Sequence, residues 1–382
     1  MEVVHTDKSV HESHPEHLSL SFLRHYPKLP RAREDCRLDD PMVLSRRRFL
    51  AAGAAAAVGV ALTGYAAYRM RTSVQPKEPP EMSEVFMTSA TDRAGAIREM
   101  LGGFDLAGFR GATVALKANY NSADRFPAST HIDTLRAIVE GIKGAGAARI
   151  TLAERSGMGN TPQVLQNSGV FRLAQELGFE ATVLDEMPAD QWSEVKPEGL
   201  HWARGFEIAK IFTDAQKVAQ TCCLKTHRFG GHFTMSLKNS VGLVAKRDPS
   251  GFYDYMTELH TSPFQRQMIA EINRFYKVDI IIMDATEAFL RGGPDQGDLV
   301  KPNLILASSD RVAMDAVGVA LLRSHGSTPE VMKGRIFDLE QISRAAELGV
   351  GVTSASAIKL VPLDDKSKES AGKIREMLDA QG

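Results

Sequence analysis

Residues 111–117 read Gly-Ala-Thr-Val-Ala-Leu-Lys, a short apolar run that ends in a lysine. Such a run between turn residues predicts a buried β-strand. Apolar residues then recur at helical spacing over 132–143, and a second strand-like run follows at 149–153, just before Glu154. This β-α-β order indicates parallel strands that are joined by helical crossovers.

The same alternation continues along the chain. A helix is predicted from Pro162 to Leu177, and strands are predicted over 181–184, 217–224 and 278–283. We therefore expect an α/β fold with a mostly parallel sheet and helices on both faces, with or without an inserted small lobe.

Polar residues stand just past several of the predicted strands. Lys117 and Asn119 follow the first, Glu154 follows the second, and Lys225 and His227 follow the strand over 217–224. Ligands of open α/β sheets bind outside the carboxyl ends of the strands. The sequence therefore predicts a crevice that these side chains line.

The stretch 222–246 adds further polar residues to this crevice. Gly230 and Gly231 interrupt it, and Lys238 and Asn239 follow within an apolar helical pattern. A strand, a glycine-hinged loop and the start of a helix are predicted here. Free backbone N–H groups in glycine loops and at helix starts favour anions.

We assign candidate roles to these residues by their chemistry. Lysine, imidazole and carboxylate groups at the crevice are candidates for catalysis: Lys225, His227 and Asp284. Donors and loop glycines are candidates for binding a cofactor or an anion: Lys117, Asn119, Glu154, Lys238, Asn239, Gly292 and Gly293. Two alternatives stay open for the lysines, which are solvated surface charges or a base or nucleophile of lowered pKa.

Metal binding is a separate hypothesis. His227 and His232 are four residues apart in the glycine loop, a spacing that permits a divalent metal to bind. Ordinary loop histidines are the alternative. The chain has three cysteines and no Cys-x-x-Cys pattern, so the sequence offers no iron–sulfur motif. The cofactor is therefore left unassigned.

Composition limits the class of protein. The chain has 382 residues, of which 43% are hydrophobic and 24% are charged, as in globular proteins with a sizeable core. The formal net charge is −1, which gives no support for a nucleic-acid partner.

An export signal is predicted near the N-terminus. Residues 45–50 read Ser-Arg-Arg-Arg-Phe-Leu, and residues 51–68 carry no charge and are rich in alanine and glycine. This resembles the twin-arginine signal, so the translocation machinery of that route is an expected partner. We predict a periplasmic or extracytoplasmic location, with cleavage after the signal as the first choice and an inner-membrane anchor at 51–68 as the second.

The predicted organisation has four parts. Residues 1–44 are a disordered extension or follow from a misassigned start, with Met42 as the alternative first residue. The signal takes residues 45–70, a proline-containing linker takes 71–84, and the α/β domain takes 85–382.

Several short motifs together resemble one family. They are Lys117-x-Asn119, Leu224-Lys-Thr-His227, Ser236-Leu-Lys-Asn239 with Gly242, Asp284 with Gly292-Gly-Pro294 and Gly297, and Ala307-Ser-Ser-Asp310 with Ala313 and Asp315. In order and spacing they are similar to the family known as domain of unknown function 362. Many members carry ferredoxin-type cysteine modules and are linked with iron–sulfur proteins, and this chain lacks such cysteines. The resemblance implies no agreed activity.

Two functions are weighed. The first is an enzyme or redox-associated protein whose crevice binds an anionic small molecule or a metal-containing cofactor. The second is a periplasmic accessory or binding protein for a redox partner, without chemistry of its own. Titratable groups buried together in one cleft favour the first, and an exposed apolar patch beside a shallow site favours the second.

Overall fold

The structure is a computed structural model that describes residues 78–248 and 251–382. The predictions for residues 1–44, for the signal at 45–70 with its alternative anchor, and for most of the linker lie outside the described residues. Among the helices that the structure does describe, none is long and apolar enough to cross a membrane.

Twelve strands occur in the described part of the chain. They are β1 (Ser83–Ser89), β2 (Thr113–Lys117), β3 (Arg149–Glu154), β4 (Glu180–Val183), β5 (Trp192–Val195), β6 (Phe206–Ala209), β7 (Lys217–His227), β8 (His232–Thr234), β9 (Ile280–Gly292), β10 (Gly297–Val300), β11 (Leu304–Ser308) and β12 (Ile358–Pro362).

The α-helices of the described residues range from single turns to a helix of 17 residues. They are α1 (Arg93–Gly102), α2 (Ile132–Gly144), α3 (Thr161–Asn167), α4 (Val170–Leu177), α5 (Lys210–Thr213), α6 (Ser236–Asn239), α7 (Tyr255–Thr261), α8 (Gln265–Ile272), α9 (Arg311–Ser324), α10 (Pro329–Met332), α11 (Glu340–Glu347) and α12 (Asp365–Gln381).

The large sheet has ten strands, in the order β12-β1-β11-β9-β7-β2-β3-β4, with β10 beside β9 and β8 beside β7. Every neighbouring pair from β9 to β4 is parallel. Strand β11 runs antiparallel to both β9 and β1, so the sheet is mixed. The α/β prediction with a mostly parallel sheet is confirmed.

Both faces of the sheet are covered by helices. Ile281 and Met283 of β9 pack in the same core cluster as residues of α9, α11 and α12. Their neighbours Ile280 and Ile282 pack on the other face, with residues of α1, α2, α3 and α4. Successive side chains of a strand point to opposite faces, so one apolar strand serves two cores.

A small two-stranded sheet accounts for the poorly patterned stretch between β4 and β7. Strands β5 and β6 pair antiparallel, with Trp192 opposite Ala209. Trp202 and Phe206 from this region share a third core cluster with residues of α7 and α8. The inserted lobe considered above is thus a hairpin within the same compact unit as the large sheet.

Two element predictions were wrong in their extent. The helix predicted from Pro162 to Leu177 is two helices, because Gly169 adopts a left-handed conformation with φ of 77° between α3 and α4. The strand predicted over 278–283 begins at Ile280 and continues to Gly292. Pairing with β10 extends it, because backbone groups beyond the apolar run find partners there.

The predicted glycine-hinged loop is a β-hairpin. Strand β7 continues through His227, and β8 returns beside it with His232 opposite His227. Helix α6 begins only after β8, at Ser236. The hairpin forms because Gly230 takes φ of 78°, a value that suits a tight turn.

Candidate functional site

A cavity of about 710 Å³ lies at the carboxyl ends of β2, β3, β4 and β7. Most of the predicted binding residues line it, and these are Lys117, Asn119, Glu154, Lys225, His227, Lys238 and Asn239. They converge because the four strands are parallel neighbours, so their carboxyl ends meet at one edge of the sheet. The roles assigned to them stay predictions.

A buried lysine–carboxylate pair lies in the middle of this cavity. The Nζ of Lys117 is 2.7 Å from Oε2 of Glu154, and it also donates to the carbonyl of Ala118 and to Oδ1 of Asn239. Burial lowers the pKa of Lys117 and raises the pKa of Glu154, while the ion pair opposes both shifts. All three donors of this ammonium are therefore used within the protein.

Gly242 leaves the space that the Lys117 side chain occupies. A Cβ atom at this position would lie 2.7 Å from Cε and 3.0 Å from Nζ of Lys117. Such distances are shorter than van der Waals contact. A side chain larger than hydrogen would therefore push the lysine away from Glu154.

Three further cations in the cavity have no acidic partner. Within the described residues, no carboxylate lies within 4.0 Å of the charged groups of Arg155, Lys225 or Lys238. Lys225 is completely buried and donates to the carbonyl of Ala128. Arg155 donates to the carbonyl of Val241 at 2.5 Å. The cavity consequently carries an excess of positive charge.

Burial weakens the hold of these groups on their protons. It lowers the pKa of Arg155 to about 10 and that of Lys238 to about 8, and it also lowers the pKa of Lys225. For Lys238, the nearby charges of Lys225 and Arg155 add to the effect. At neutral pH Arg155 keeps its charge, whereas Lys238 titrates close to physiological pH.

His227 is neutral in this setting. Burial, reinforced by the ammonium groups of Lys238 and Lys225, holds the pKa of the imidazole far below its ordinary value. Its Nδ1 has no hydrogen-bond partner among the described residues. A neutral ring with a free nitrogen can accept a hydrogen bond from a ligand.

Helix α6 presents Lys238 and Asn239 to the cavity, and a buried carboxylate fixes its first turn. Asp315 of α9 accepts from the backbone N–H groups of Ser236 and Leu237, at 2.7 and 3.1 Å. The Nδ2 of Asn239 donates to the carbonyl of Thr221 in β7. Hydrogen bonds to α9 and to β7 therefore both fix the orientation of α6.

The cavity differs in character along its length. Near β7 it is lined by Lys225 and Lys238, near β4 by Leu184, Met187 and Trp192, and Arg155 lies between them at the end of β3. Lys246 at this second end is neutralised by Asp185, at 2.9 Å. Three strand spacings separate β7 from β4, which corresponds to about 14 Å. The β7 end thus carries unpaired ammonium groups, and the β4 end combines an apolar surface with a neutralised ion pair.

Unsatisfied polar atoms are concentrated in the cavity wall. Several of its buried side-chain atoms have no hydrogen-bond partner in the described structure, and they are Asn119 Nδ2, Tyr120 OH, Glu154 Oε1, Arg155 Nε and Nη1, His227 Nδ1 and Thr234 Oγ1. Buried polar groups are normally paired, because a buried unpaired group costs about 1–3 kcal/mol. Their clustering here points to a ligand that pairs with them.

Asp284 does not reach the cavity, contrary to the prediction. It lies within β9, and its carboxylate accepts from Arg93 at 2.8 Å, from Thr134 at 2.6 Å and from Thr286 at 2.7 Å. These partners stand on α1, on α2 and on β9 itself. Asp284 therefore ties two helices to the sheet on the face opposite α9.

Gly292 and Gly293 shape the wall beside the cavity and do not line it. A Cβ at Gly293 would lie 2.0 Å from the carbonyl oxygen of Thr226, so only glycine allows this close approach. The carbonyl of Gly293 accepts from the backbone N–H of Arg228 at 3.2 Å. The glycine pair thus holds the end of β7, and the next residue, Pro294, reaches the cavity.

The predicted histidine pair is not assembled as a metal site. His227 lines the cavity, whereas His232 does not, although the two are paired across the hairpin. Across the described residues, no group of three or more His, Cys, Asp or Glu side chains is placed to hold a metal ion. The divalent metal considered from the sequence finds no ligand set here.

The two described cysteines do not fit an iron–sulfur cluster either. Cys222 and Cys223 are adjacent in β7, so their side chains point to opposite faces of the sheet. Burial raises the pKa of both thiols, to about 12 for Cys223. Neither residue supplies a thiolate to a shared site.

Comparison with protein families shows which family this chain belongs to. Residues 114–320 match the family described as Domain of unknown function (DUF362). The chain belongs to DUF362. The matched region contains every residue that lines the cavity, from Lys117 to Pro294. The resemblance inferred from the short motifs is thereby confirmed.

The comparisons with curated proteins and with solved structures are less informative than the family match. No curated protein matches this DUF362 chain. Among solved structures, the lactate racemase apoprotein from Thermoanaerobacterium thermosaccharolyticum is similar with a TM-score of 0.42 and 13% identity, over 64% of this chain and 59% of that one. A likeness at this level carries no argument about function.

Sequence reasoning missed several residues of the DUF362 site. Arg155 directly follows Glu154 at the end of β3, and Tyr120 directly follows Asn119, so the strand-end rule would have found both. Met256 comes from α7, where nothing in the sequence signals that the helix folds over the sheet edge, and His260 of the same helix also lines the cavity. Met256 and His260 form the wall of the cavity on the side where α7 packs.

Proposed function

We propose that this DUF362 protein binds an anionic organic molecule in the cavity at the strand ends. The observation that carries the proposal is the presence of three cationic side chains, Arg155, Lys225 and Lys238, with no carboxylate within 4.0 Å in the described structure. They share a single cavity with buried, unpaired polar atoms.

The electrostatic reason is direct. A buried charge without a partner is costly, so a site that gathers several like charges is stabilised when an opposite charge enters. The lysine that is already paired, Lys117, shows the contrast, because Glu154 neutralises it within the protein. The unpaired cations are therefore the charges that would attract an incoming carboxylate or phosphate.

The apolar end of the cavity defines the rest of the ligand. Leu184, Met187 and Trp192 offer an apolar surface near β4, about 14 Å from the β7 end of the cavity. A volume of about 710 Å³ suits a small organic molecule rather than a single inorganic ion. We infer a ligand with an anionic head and an apolar body. A metal-containing ligand would bind as an anionic complex, because the unpaired groups are cations.

The accessory-protein function is the weaker of the two alternatives. It predicts a shallow site beside an exposed apolar patch, whereas the groups in this cavity are buried and several have shifted pKa values. The buried titratable groups favour a protein that binds, and acts on, a small molecule.

Export through the twin-arginine route is part of the proposal and rests on the sequence at 45–50. A periplasmic or extracytoplasmic site of action follows from it. The test is fractionation of cells that produce the full chain and a variant with Arg46 and Arg47 both replaced by Lys. Wild-type protein in the periplasm and variant in the cytoplasm would support export, and equal distribution would contradict it.

Ligand binding is tested by thermal unfolding with a panel of anions, namely phosphate, phenyl phosphate and hydrocinnamate. We expect the organic anions to raise Tm by several degrees at saturating concentration, because a ligand that binds only the folded state stabilises it. Arg155→Gln and Lys225→Met should abolish the shift, and Lys196→Met, at an exposed lysine outside the cavity, should retain it. A shift that is equal in all variants, or absent in the wild type, would overturn the proposal.

A further inference from the structure

We propose that Lys238 forms an imine with the carbonyl carbon of an α-keto acid bound in this cavity. The inference rests on the proposed function, and it adds a ligand class and a covalent step at one atom, Nζ of Lys238. It is carried by the difference between this lysine and the other lysines around it.

Lys238 is the lysine whose amine is free to react. The ammonium of Lys117 is held by a carboxylate, a carbonyl and an amide oxygen. That of Lys225 is fully buried and bound to the carbonyl of Ala128, and that of Lys246 is paired with Asp185. Lys238 lines the cavity, is partly exposed to it and makes no hydrogen bond or ion pair with any described residue.

The surroundings of Lys238 favour its neutral form. Burial and the charges of Lys225 and Arg155 lower its pKa to about 8, so more of the amine is unprotonated near neutral pH than in an ordinary lysine. Only the neutral amine has the lone pair that attacks a carbonyl. A lysine beside another cation in a desolvated pocket is a recurring way to obtain such a nucleophile.

His227 is placed beside the reacting amine. Its Nδ1 and the Cε of Lys238 lie 3.0 and 2.8 Å from the same point, where a Cβ of Gly231 would be. The side chains are therefore close neighbours, with Gly231 providing the space between them. Because the ring is neutral and its Nδ1 unpaired, it can accept a hydrogen bond from the attacking nitrogen and so orient the lone pair of the amine.

The step balances without any further reactant. The lone pair of the Lys238 amine forms a C–N bond, and the carbonyl oxygen takes up a proton to give a carbinolamine. The nitrogen then loses its second proton, the C–O bond breaks, and the oxygen leaves as water. The product is a C=N bond, and neither oxidation nor reduction takes place.

The neighbouring cations select an α-keto acid among carbonyl compounds. In such a molecule the carboxylate is attached directly to the reacting carbon. Lys225 and Arg155 are the charges that act most strongly on Lys238, so a carboxylate held by them brings the adjacent carbonyl to its amine. The body of the acid then extends toward the apolar end, at Leu184 and Trp192.

The test is borohydride trapping with phenylpyruvate, followed by intact mass and peptide mapping. Hydrocinnamate, which has the same carboxylate and ring but no carbonyl, is measured in parallel by thermal shift. We expect one reduced adduct per chain, located on Lys238. Lys238→Arg should lose the adduct, with its thermal shift with hydrocinnamate measured alongside, and Lys196→Arg should retain both the adduct and the shift.

The remaining outcomes separate this inference from the proposed function. Hydrocinnamate binding without an adduct, or an adduct spread over surface lysines and retained in Lys238→Arg, would overturn the imine and leave anion binding intact. If neither acid binds but phenyl phosphate does, the α-keto acid class is wrong while the proposed function stands. If no organic anion binds, both are overturned.

Discussion

Asp315 of α9 accepts a hydrogen bond from the backbone N–H of Ser236 at 2.7 Å, across 79 residues of sequence. Its second oxygen accepts from the N–H of Leu237. Burial raises the pKa of this carboxyl to about 7. A buried acid is therefore used to start a one-turn helix, whose third residue is Lys238. The position of the proposed nucleophile depends on the helix layer behind it.

Asp315→Asn should lower the free energy of unfolding by about 1–3 kcal/mol, because an amide offers only one acceptor to two buried N–H groups. Urea unfolding measures the change. Asp298→Asn, at an exposed carboxylate, is the control and should change stability by less than about 1 kcal/mol. Equal small effects of the two substitutions would show that Asp315 does not anchor α6.

The same substitution tests the effect of pH on stability. The pKa of Asp315 is 3.8 in its ordinary state and about 7 in the folded protein, so the folded state binds the proton more tightly. Its contribution to stability is complete below pH 3.8 and is lost as the pH rises toward 7. Asp315→Asn should abolish this decrease in stability between pH 3.8 and 7. If the free energy of unfolding changed with pH in the same way in the wild type and the variant, the raised pKa of Asp315 would be contradicted.

The strand-end residues of the site could be predicted from the sequence. Lys117, Glu154 and Lys225 follow apolar runs that alternate with helices, and parallel strands bring such positions to one edge. Lys238 and Asn239 were found because they lie in an apolar helical pattern that follows the glycine loop. Local pattern and the rules of sheet topology were sufficient for these residues.

Asp284 could not be placed in this way. Its partner Arg93 is 191 residues away in sequence, and no local pattern shows that a helix will bring an arginine to it. The strand also continues for several residues beyond the apolar run, because β10 folds back and pairs with it. The break at Gly169 was missed for a similar reason, since apolar spacing continues across it while the backbone does not.

The ion pair between Lys117 and Glu154 should behave as one unit. Lys117→Met or Glu154→Leu alone should each lower the free energy of unfolding by about 3–5 kcal/mol, because each leaves a buried partner without its counter-charge. The double variant should recover most of that loss. Denaturant unfolding of the four proteins gives the coupling energy. Losses that simply add in the double variant would contradict a coupled pair.

Gly242 should tolerate no side chain. Gly242→Ala places a methyl group 2.7 Å from Cε of Lys117, so we expect a loss of about 1–3 kcal/mol and weaker anion binding. Gly372→Ala is the matched control, because no atom lies within 4 Å of its added Cβ. That change lies within α12 and should stabilise the protein by roughly 0.5–1 kcal/mol. If Gly242→Ala and Gly372→Ala both stabilised the protein, the close packing of Lys117 against Gly242 would be refuted.

Anion affinity should depend on the protonation of Lys238. Because its pKa is about 8, the ammonium is charged at pH 7 and mostly neutral at pH 9. The Kd for hydrocinnamate should therefore increase severalfold between these values, as one attracting charge is lost. Calorimetric titration measures it. Lys238→Arg keeps its charge throughout and should show a flat profile, and an equal dependence in both proteins would remove Lys238 from the site.

The central claim is that the excess charge of Arg155, Lys225 and Lys238 holds an organic anion. Native mass spectrometry of protein purified from its own host tests it most directly, beside the Arg155→Gln and Lys225→Met variants and the Lys196→Met control. We predict a bound organic anion, in stoichiometric amount, in the wild type and the control and its loss from both cavity variants. An unliganded mass for the wild type, or a ligand that persists in both cavity variants, would contradict the claim.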